Sequence, residues 1–322
     1  MRFMRAIGSF ALVLWLAIPA AGRDIYVSST AGDDLALGSH PAVMAERTGP
    51  VRTITRALEI ARTGDRIILE RSDEPYHECI SLVGTRHSGA FGRFFEIQGN
   101  GAILDGSAAV PDDAWEHYRA DVFRFQPLRM GYQQLFYEGK PLRQVRATGL
   151  AGEPPALEPL EWSLAGGWIY FRVGPVKLPA DYKLRCARLQ TGVTLFHVGD
   201  VVISDLVVQG FQLDGINAFN SAGPVHLNGV TCRGNGRSGV TVGGASLVDL
   251  NGSLAGSNGV AQLLTLAVSE THLRNSRLLG DVAPGWVDRG GRVYVGQKQI
   301  EGGLPELEPA APTNNPPGTG RN

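Results

Sequence analysis

Cysteine, lysine and long apolar runs are all scarce in this chain of 322 residues. Its three cysteines, Cys79, Cys186 and Cys232, allow at most one disulfide and leave one thiol over. No Cys-x-x-Cys pair and no Cys/His spacing of a zinc site occurs. Cys232 lies two residues after Val230, on the same side of a strand, which reads as a small buried thiol. Lysine fills only four of the 30 basic positions (Lys140, Lys177, Lys183 and Lys298), so any cationic site must be built from arginine. Charged residues make up 19% and the net charge is −1, which excludes the broad basic surface of a nucleic-acid binder. The longest apolar stretch, 7–18, is shorter than the ~20 residues a membrane span needs.

That stretch follows Arg2 and Arg5 and precedes the small residues Ala20-Ala21-Gly22. The order of positive start, apolar middle and small-residue end reads as a cleaved export signal over 1–22. The mature chain is then secreted or periplasmic, with no membrane span left. At the other end, 301–322 is rich in proline and glycine and reads as a disordered tail.

Glycine is abundant, at 42 residues, and it punctuates a repeat. The phrases Val-Val-Ile-Ser-Asp-Leu (201–206), Val-His-Leu-Asn-Gly-Val (225–230), Val-Asp-Leu-Asn-Gly-Ser (248–253) and Thr-His-Leu-Arg-Asn-Ser (271–276) align Ile203, Leu227, Leu250 and Leu273 at spacings of 24, 23 and 23. Between them fall Asp214-Gly215-Ile216, Ser238-Gly239-Val240 and Asn258-Gly259-Val260. A period of roughly 20–25 residues with short apolar runs and Gly/Asn punctuation means a solenoid of strands. The run His197–Leu206 followed by Asp-Gly-Ile resembles the coils of right-handed parallel β-helix proteins of the pectate-lyase-like fold. The resemblance implies an all-β, right-handed parallel β-helix solenoid. It speaks weakly to function, because many activities share the fold.

The solenoid is expected to run through 191–300, with a closing strand near its end. Over 23–109 an opening strand at 24–30 precedes a helical pattern in 50–64, with Ile54, Leu58 and Ala61 on one face. Gly-Asp and the strand 67–70 follow. This order resembles the N-terminal capping helix of extracellular β-helix proteins, and 94–106 completes a first coil. Residues 110–190 break the repeat. They gather Trp115, Trp162 and Trp168, a hairpin at 135–142 with a Glu-Gly turn, and a strand at 168–173. This reads as an antiparallel β insertion.

Strand alternation turns the repeat into columns. With Ile203, Leu227, Leu250 and Leu273 inward, His226, Asp249 and His272 form an outward ladder. An aspartate between two imidazoles is a candidate general base or metal-binding pair, and a solvated polar face is the alternative. The next column, with Asn228 and Asn251, suits an asparagine ladder at a bend, a structural feature of the family it resembles. On the face where related lyases and hydrolases bind sugar, the outward residues are Asn217, Thr241 and Gln262. Arg233 and Arg237, in the turn before that face, are candidates to grip a uronate carboxylate, or else solvated turn residues. Trp162 and Trp168 are candidate sugar-stacking platforms, or else core.

The leading functional expectation is a protein acting on or binding polysaccharide, acidic glycans above all. As an enzyme it would be a uronate lyase or epimerase, in which a cation such as Arg237 steadies the developing enolate and a His or Tyr serves as base. The alternative is a non-catalytic carbohydrate-binding or cell-envelope protein. No cofactor is assigned. Calcium stays open, although no cluster of the six or more oxygen ligands it needs is visible.

Overall fold

A computed structural model of the chain describes residues 22–301, except 46, 91, 129–130 and 148–151. The export-signal and tail expectations therefore lie outside the described residues. No helix among them is long and apolar enough to cross a membrane.

The repeat folds as a parallel β-helix with three faces. The first face stacks Ile80–Val83, Val193–Phe196, Asp214–Phe219 and Ser238–Gly243, then the start of Ala261–Arg274 and of Trp286–Val295. The second stacks Asp24–Val27, Arg66–Leu69, Phe95–Gln98, Val201–Ser204, Val225–Asn228 and Leu247–Asn251, then the ends of the same two long strands. The third is a five-stranded sheet from Ile103–Asp105 to Arg277–Leu278. Ala261–Arg274 runs without a break from the first face into the second, so those two faces form one sheet.

The aligned Ile203, Leu227, Leu250 and Leu273 are all buried in one continuous core with Ile97, Val208, Phe211 and Cys232. Each buried Leu or Ile there removes apolar surface worth roughly 1.5–3 kcal/mol from water. The three cysteines are unpaired.

The helix Ile54–Ile60 buries Ile54, Ala57 and Leu58 in this core. Thr53 caps its start, accepting from the Arg56 N–H at 3.0 Å. The Glu78 carboxylate takes the next two amides, those of Ile54 and Thr55, at 2.9 and 2.8 Å. The helix ends at Ile60, short of the end of the helical pattern over 50–64.

The insertion is antiparallel, as expected. One sheet orders Lys140–Pro141, Leu135–Tyr137, Arg185–Ala187 and Ser107–Ala109. The other orders Trp162–Ala165, Trp168–Arg172, Val122–Phe125 and Glu116–Arg119. Glu138 and Gly139 both take positive φ, 50° and 70°, in the turn between Leu135–Tyr137 and Lys140–Pro141.

The asparagine expectation needs correcting. Asn228 and Asn251 end their strands on the outside, and the bend after them belongs to buried serines. There Ser253 Oγ accepts from the Val230 N–H at 3.1 Å and Ser276 Oγ from the Ser253 N–H at 3.0 Å. The amide ladder stands at the other bend, between the third and first faces. Asn235 and Asn258 are fully buried there. Asn235 Nδ2 donates to Asn258 Oδ1 at 3.0 Å, and Asn258 Nδ2 donates to Gln262 Oε1 at 2.7 Å. Gln262 thus closes the ladder from within. It is not an outward residue of the first face, where Leu264 takes the place beside Asn217 and Thr241.

Candidate functional site

Register alone brings His226, Asp249 and His272 together. They pair across three successive strands of the second face. His226 Nδ1 lies 3.1 Å from Asp249 Oδ2. His272 turns instead to Glu270, with Nε2 at 2.8 Å from Oε1, and stacks on Tyr294 at 4.9 Å. Arg292 meets the other Glu270 oxygen at 2.7 Å. The column continues through Val202 and Glu96 to Arg66 and Asp24, an ion pair at 2.8 Å. It is a run of mutually satisfied charges along a sheet face. None of the three residues lines either of the cavities described below.

Walls exist at the opposite bend. The insertion packs where the third face turns into the first: Gln134 Nε2 donates to Ser257 O at 3.3 Å and the Arg146 guanidinium donates to Gly259 O. Phe136 and Pro141 lie so close to Gly234 that a Cβ there would meet both at 2.8 Å. Beside this contact opens a cleft of about 470 Å³. Tyr132, Gln144, Arg146 and Leu164 of the insertion face Gly236, Gly259 and Val260 of the solenoid.

Arg237 is the residue after Gly236, which lines the cleft. Its Nε and a terminal nitrogen meet Asp214 Oδ1 and Oδ2 at 2.9 and 2.5 Å. Asp214 is fully buried and also accepts from Ser238 Oγ and from Asn217 Nδ2, each at 2.8 Å. Four donors on one buried carboxylate make it an anchor with no lone pair left over for a substrate. The bond to Asp214 raises the Arg237 pKa, so the guanidinium stays charged, and Tyr132 lies near enough to act on it electrostatically. Arg237 keeps a quarter of its side chain exposed. Asn217 and Arg237 therefore belong to one network, as structural support and as the charge it supports.

The remaining sequence candidates separate. Arg233 sits on the third face, where its Nε donates to Gln209 Oε1 at 2.9 Å, so the two arginines are held by different partners on different faces. Trp162 is wholly buried in the insertion's own core, with Nε1 donating to Leu142 O at 3.0 Å. It offers no ring face to a sugar. Trp168 is half-buried, and the Arg124 guanidinium covers its ring at 4.2 Å. Among the described residues no group of three or more His, Cys, Asp or Glu is arranged to hold a metal ion.

Sequence reasoning missed Tyr132, Arg146 and the role of Asp214. Nothing in the spacing of Tyr132 or Arg146 links them to the repeat, because the insertion folds back on it. Asp214 did leave a trace. It holds the position of Ser238 and Ala261 in the repeat, an acid where its neighbours are small.

No family model matches the chain, and no curated protein does. Solved structures do align with it. One described as a glycoside hydrolase matches with a TM-score of 0.51 at 10% identity, over 79% of this chain and 74% of that one. The complex of XylC with xylose matches with a TM-score of 0.48 at 11% identity, over 84% of this chain. This chain spans 63% of that one, less than two thirds of it. The pectate lyase Pel9A aligns over 86% of this chain at 10% identity with a TM-score of 0.21. The chain folds as a parallel β-helix. At such identities the likeness is one of fold.

Proposed function

We propose that the protein binds and cleaves an acidic polysaccharide in the cleft between the solenoid and the insertion, by a lyase-type elimination. One observation carries this reading: a buried Asp214 fixes the Arg237 guanidinium directly after Gly236 of the cleft lining, near enough to Tyr132, another lining residue, to feel its charge. Elimination from a uronate needs a cation on the carboxylate and a base at C5. Arg237 supplies the cation, with Arg146 as a second contact for the chain. Tyr132 is the base that takes the C5 proton. The electron pair left at C5 forms the C4–C5 double bond as the C4–oxygen bond breaks, and the departing oxygen, which leaves with that bond's electrons, takes up a proton from solvent water.

The described cleft lining contains amides, an arginine and a tyrosine, and no carboxylate. That favours elimination over hydrolysis, which normally uses two flanking carboxyl groups. The carbohydrate-active names of the structural neighbours lend the substrate class support. The apolar start of the chain, after Arg2 and Arg5, supports export to the compartment where such glycans lie.

The second reading is a glycan-binding protein without turnover. It is favoured by the exposed, stacked pair Phe196 and Phe219 on the first face, 6.5 Å apart. The discriminating experiment incubates the protein with a panel of polyuronates and neutral glycans and follows unsaturated uronate products by absorbance. The lyase reading expects product from at least one polyuronate, lost in both Arg237→Ala and Tyr132→Phe. Retention without product selects the second reading, and no retention of any panel member defeats both.

A further inference from the structure

A second cavity, of about 360 Å³, lies between the insertion strands Ser107–Ala109, Val122–Phe125 and Arg185–Ala187 and the start of the solenoid coil at Leu189. Its walls are apolar: Ala109, Val110, Phe125, Pro127 and Leu128 all line it. Val110 and Phe125 belong to the insertion core, so that wall is rigid and already formed. Gln212, the solenoid amide in the lining, donates to Ala187 O at 3.4 Å and is not free to turn inward.

One charged side chain lines the cavity, that of Arg188. Its backbone N–H donates to Gly106 O at 3.0 Å, which fixes its place in the chain. Its guanidinium is exposed and has no ion pair or side-chain hydrogen bond among the described residues. Arg23, Arg66, Arg185 and Arg237, by contrast, are each held in an ion pair. An apolar chamber of ligand size with a lone, unpaired cation in its lining matches one kind of guest.

We infer that this cavity binds a small amphipathic anion: a flat apolar body in the chamber, with one carboxylate or sulfonate on Arg188. The site is separate from the cleft of Arg237 and does not depend on the glycan reading.

The test uses the full chain and 1-anilinonaphthalene-8-sulfonate, an aromatic anion that brightens in apolar surroundings. Saturable binding of one molecule per chain is expected. Arg188→Ala is expected to weaken it by roughly tenfold, the scale of one charge-assisted contact. Ala109→Trp fills the chamber from an exposed position and is expected to abolish binding while the thermal midpoint is kept. The uncharged analogue N-phenyl-1-naphthylamine is expected to bind wild type more weakly and to be indifferent to Arg188→Ala. A third measurement stands even if Ala109→Trp fails to fold: in a Cys79→Ser background, bound probe is expected to slow maleimide labelling of Cys186, which lines the cavity. Equal binding of the probe to wild type and Arg188→Ala overturns the proposal, as does undiminished binding to folded Ala109→Trp or unchanged labelling of Cys186.

Discussion

Asp214 and Arg237 face each other across neighbouring coils as a two-point ion pair, with the carboxylate wholly buried and the guanidinium a quarter exposed. Removing one member leaves the other desolvated without its partner. Asp214→Ala is expected to cost about 3–5 kcal/mol in urea unfolding, and Arg237→Ala a comparable amount reduced by its partial exposure. The double substitution is expected to cost clearly less than the sum of the two. Additive losses would show that the pair is not an energetic unit.

The amide ladder at the same bend makes a second stability prediction. Asn258→Ala removes the acceptor of the Asn235 N–H and the donor to Cys232 O, both buried. An expected loss of about 2–3 kcal/mol follows from leaving such groups unsatisfied. Asn251→Ala, at the exposed end of its strand, is expected to stay within about 0.5 kcal/mol of wild type. Chemical denaturation of the two variants side by side checks the contrast.

The three thiols are expected to separate in reactivity. Cys79 is exposed, whereas burial pushes the Cys186 thiol up to about 11 and the Cys232 thiol up to about 12. Thiolate is the reactive form. A disulfide-exchange reagent should titrate Cys79 first in the folded protein, Cys186 slowly, and Cys232 only with unfolding. A non-reduced sample that shows fewer than three thiols when unfolded would contradict the unpaired state.

Acid should erase the contribution of Glu270. Its hydrogen bond to His272, opposed by burial and aided by Arg292, holds its carboxyl below the ordinary value of 4.5. A depressed folded-state value means stabilisation that is present above pH 4.5 and lost as the pH falls below it. Wild type is thus expected to exceed Glu270→Gln in stability at neutral pH, with the gap closing in acid and shrinking in salt. A gap that widens in acid would reverse the sign of the linkage.

Much of this was legible in the chain itself, and the reasons differ by residue. The outward column His226, Asp249 and His272 could be placed because a period of 23 or 24 residues with strict alternation fixes register. The bend that holds the amide ladder is not legible, because Asn228 and Asn251 repeat as visibly as Asn235 and Asn258, and periodicity does not tell inside from outside at a corner. Trp162 and Trp168 looked alike as letters, and only tertiary packing sends the first into the core. The cleft was illegible because it joins Tyr132 and Arg146 to Gly236 and Gly259, positions far apart in the sequence. No local pattern encodes that distance.

The central claim is that glycan is held at Arg237, next to the walled cleft, and not along the histidine ladder. Titration of purified oligouronates into wild type, Arg237→Ala and the double variant His226→Ala/His272→Ala tests it most directly. The account predicts wild-type affinity in the histidine variant and a loss of roughly tenfold or more in Arg237→Ala, as for a deleted charge-assisted contact. Intact binding in a folded Arg237→Ala, with binding lost in the histidine variant, would contradict it.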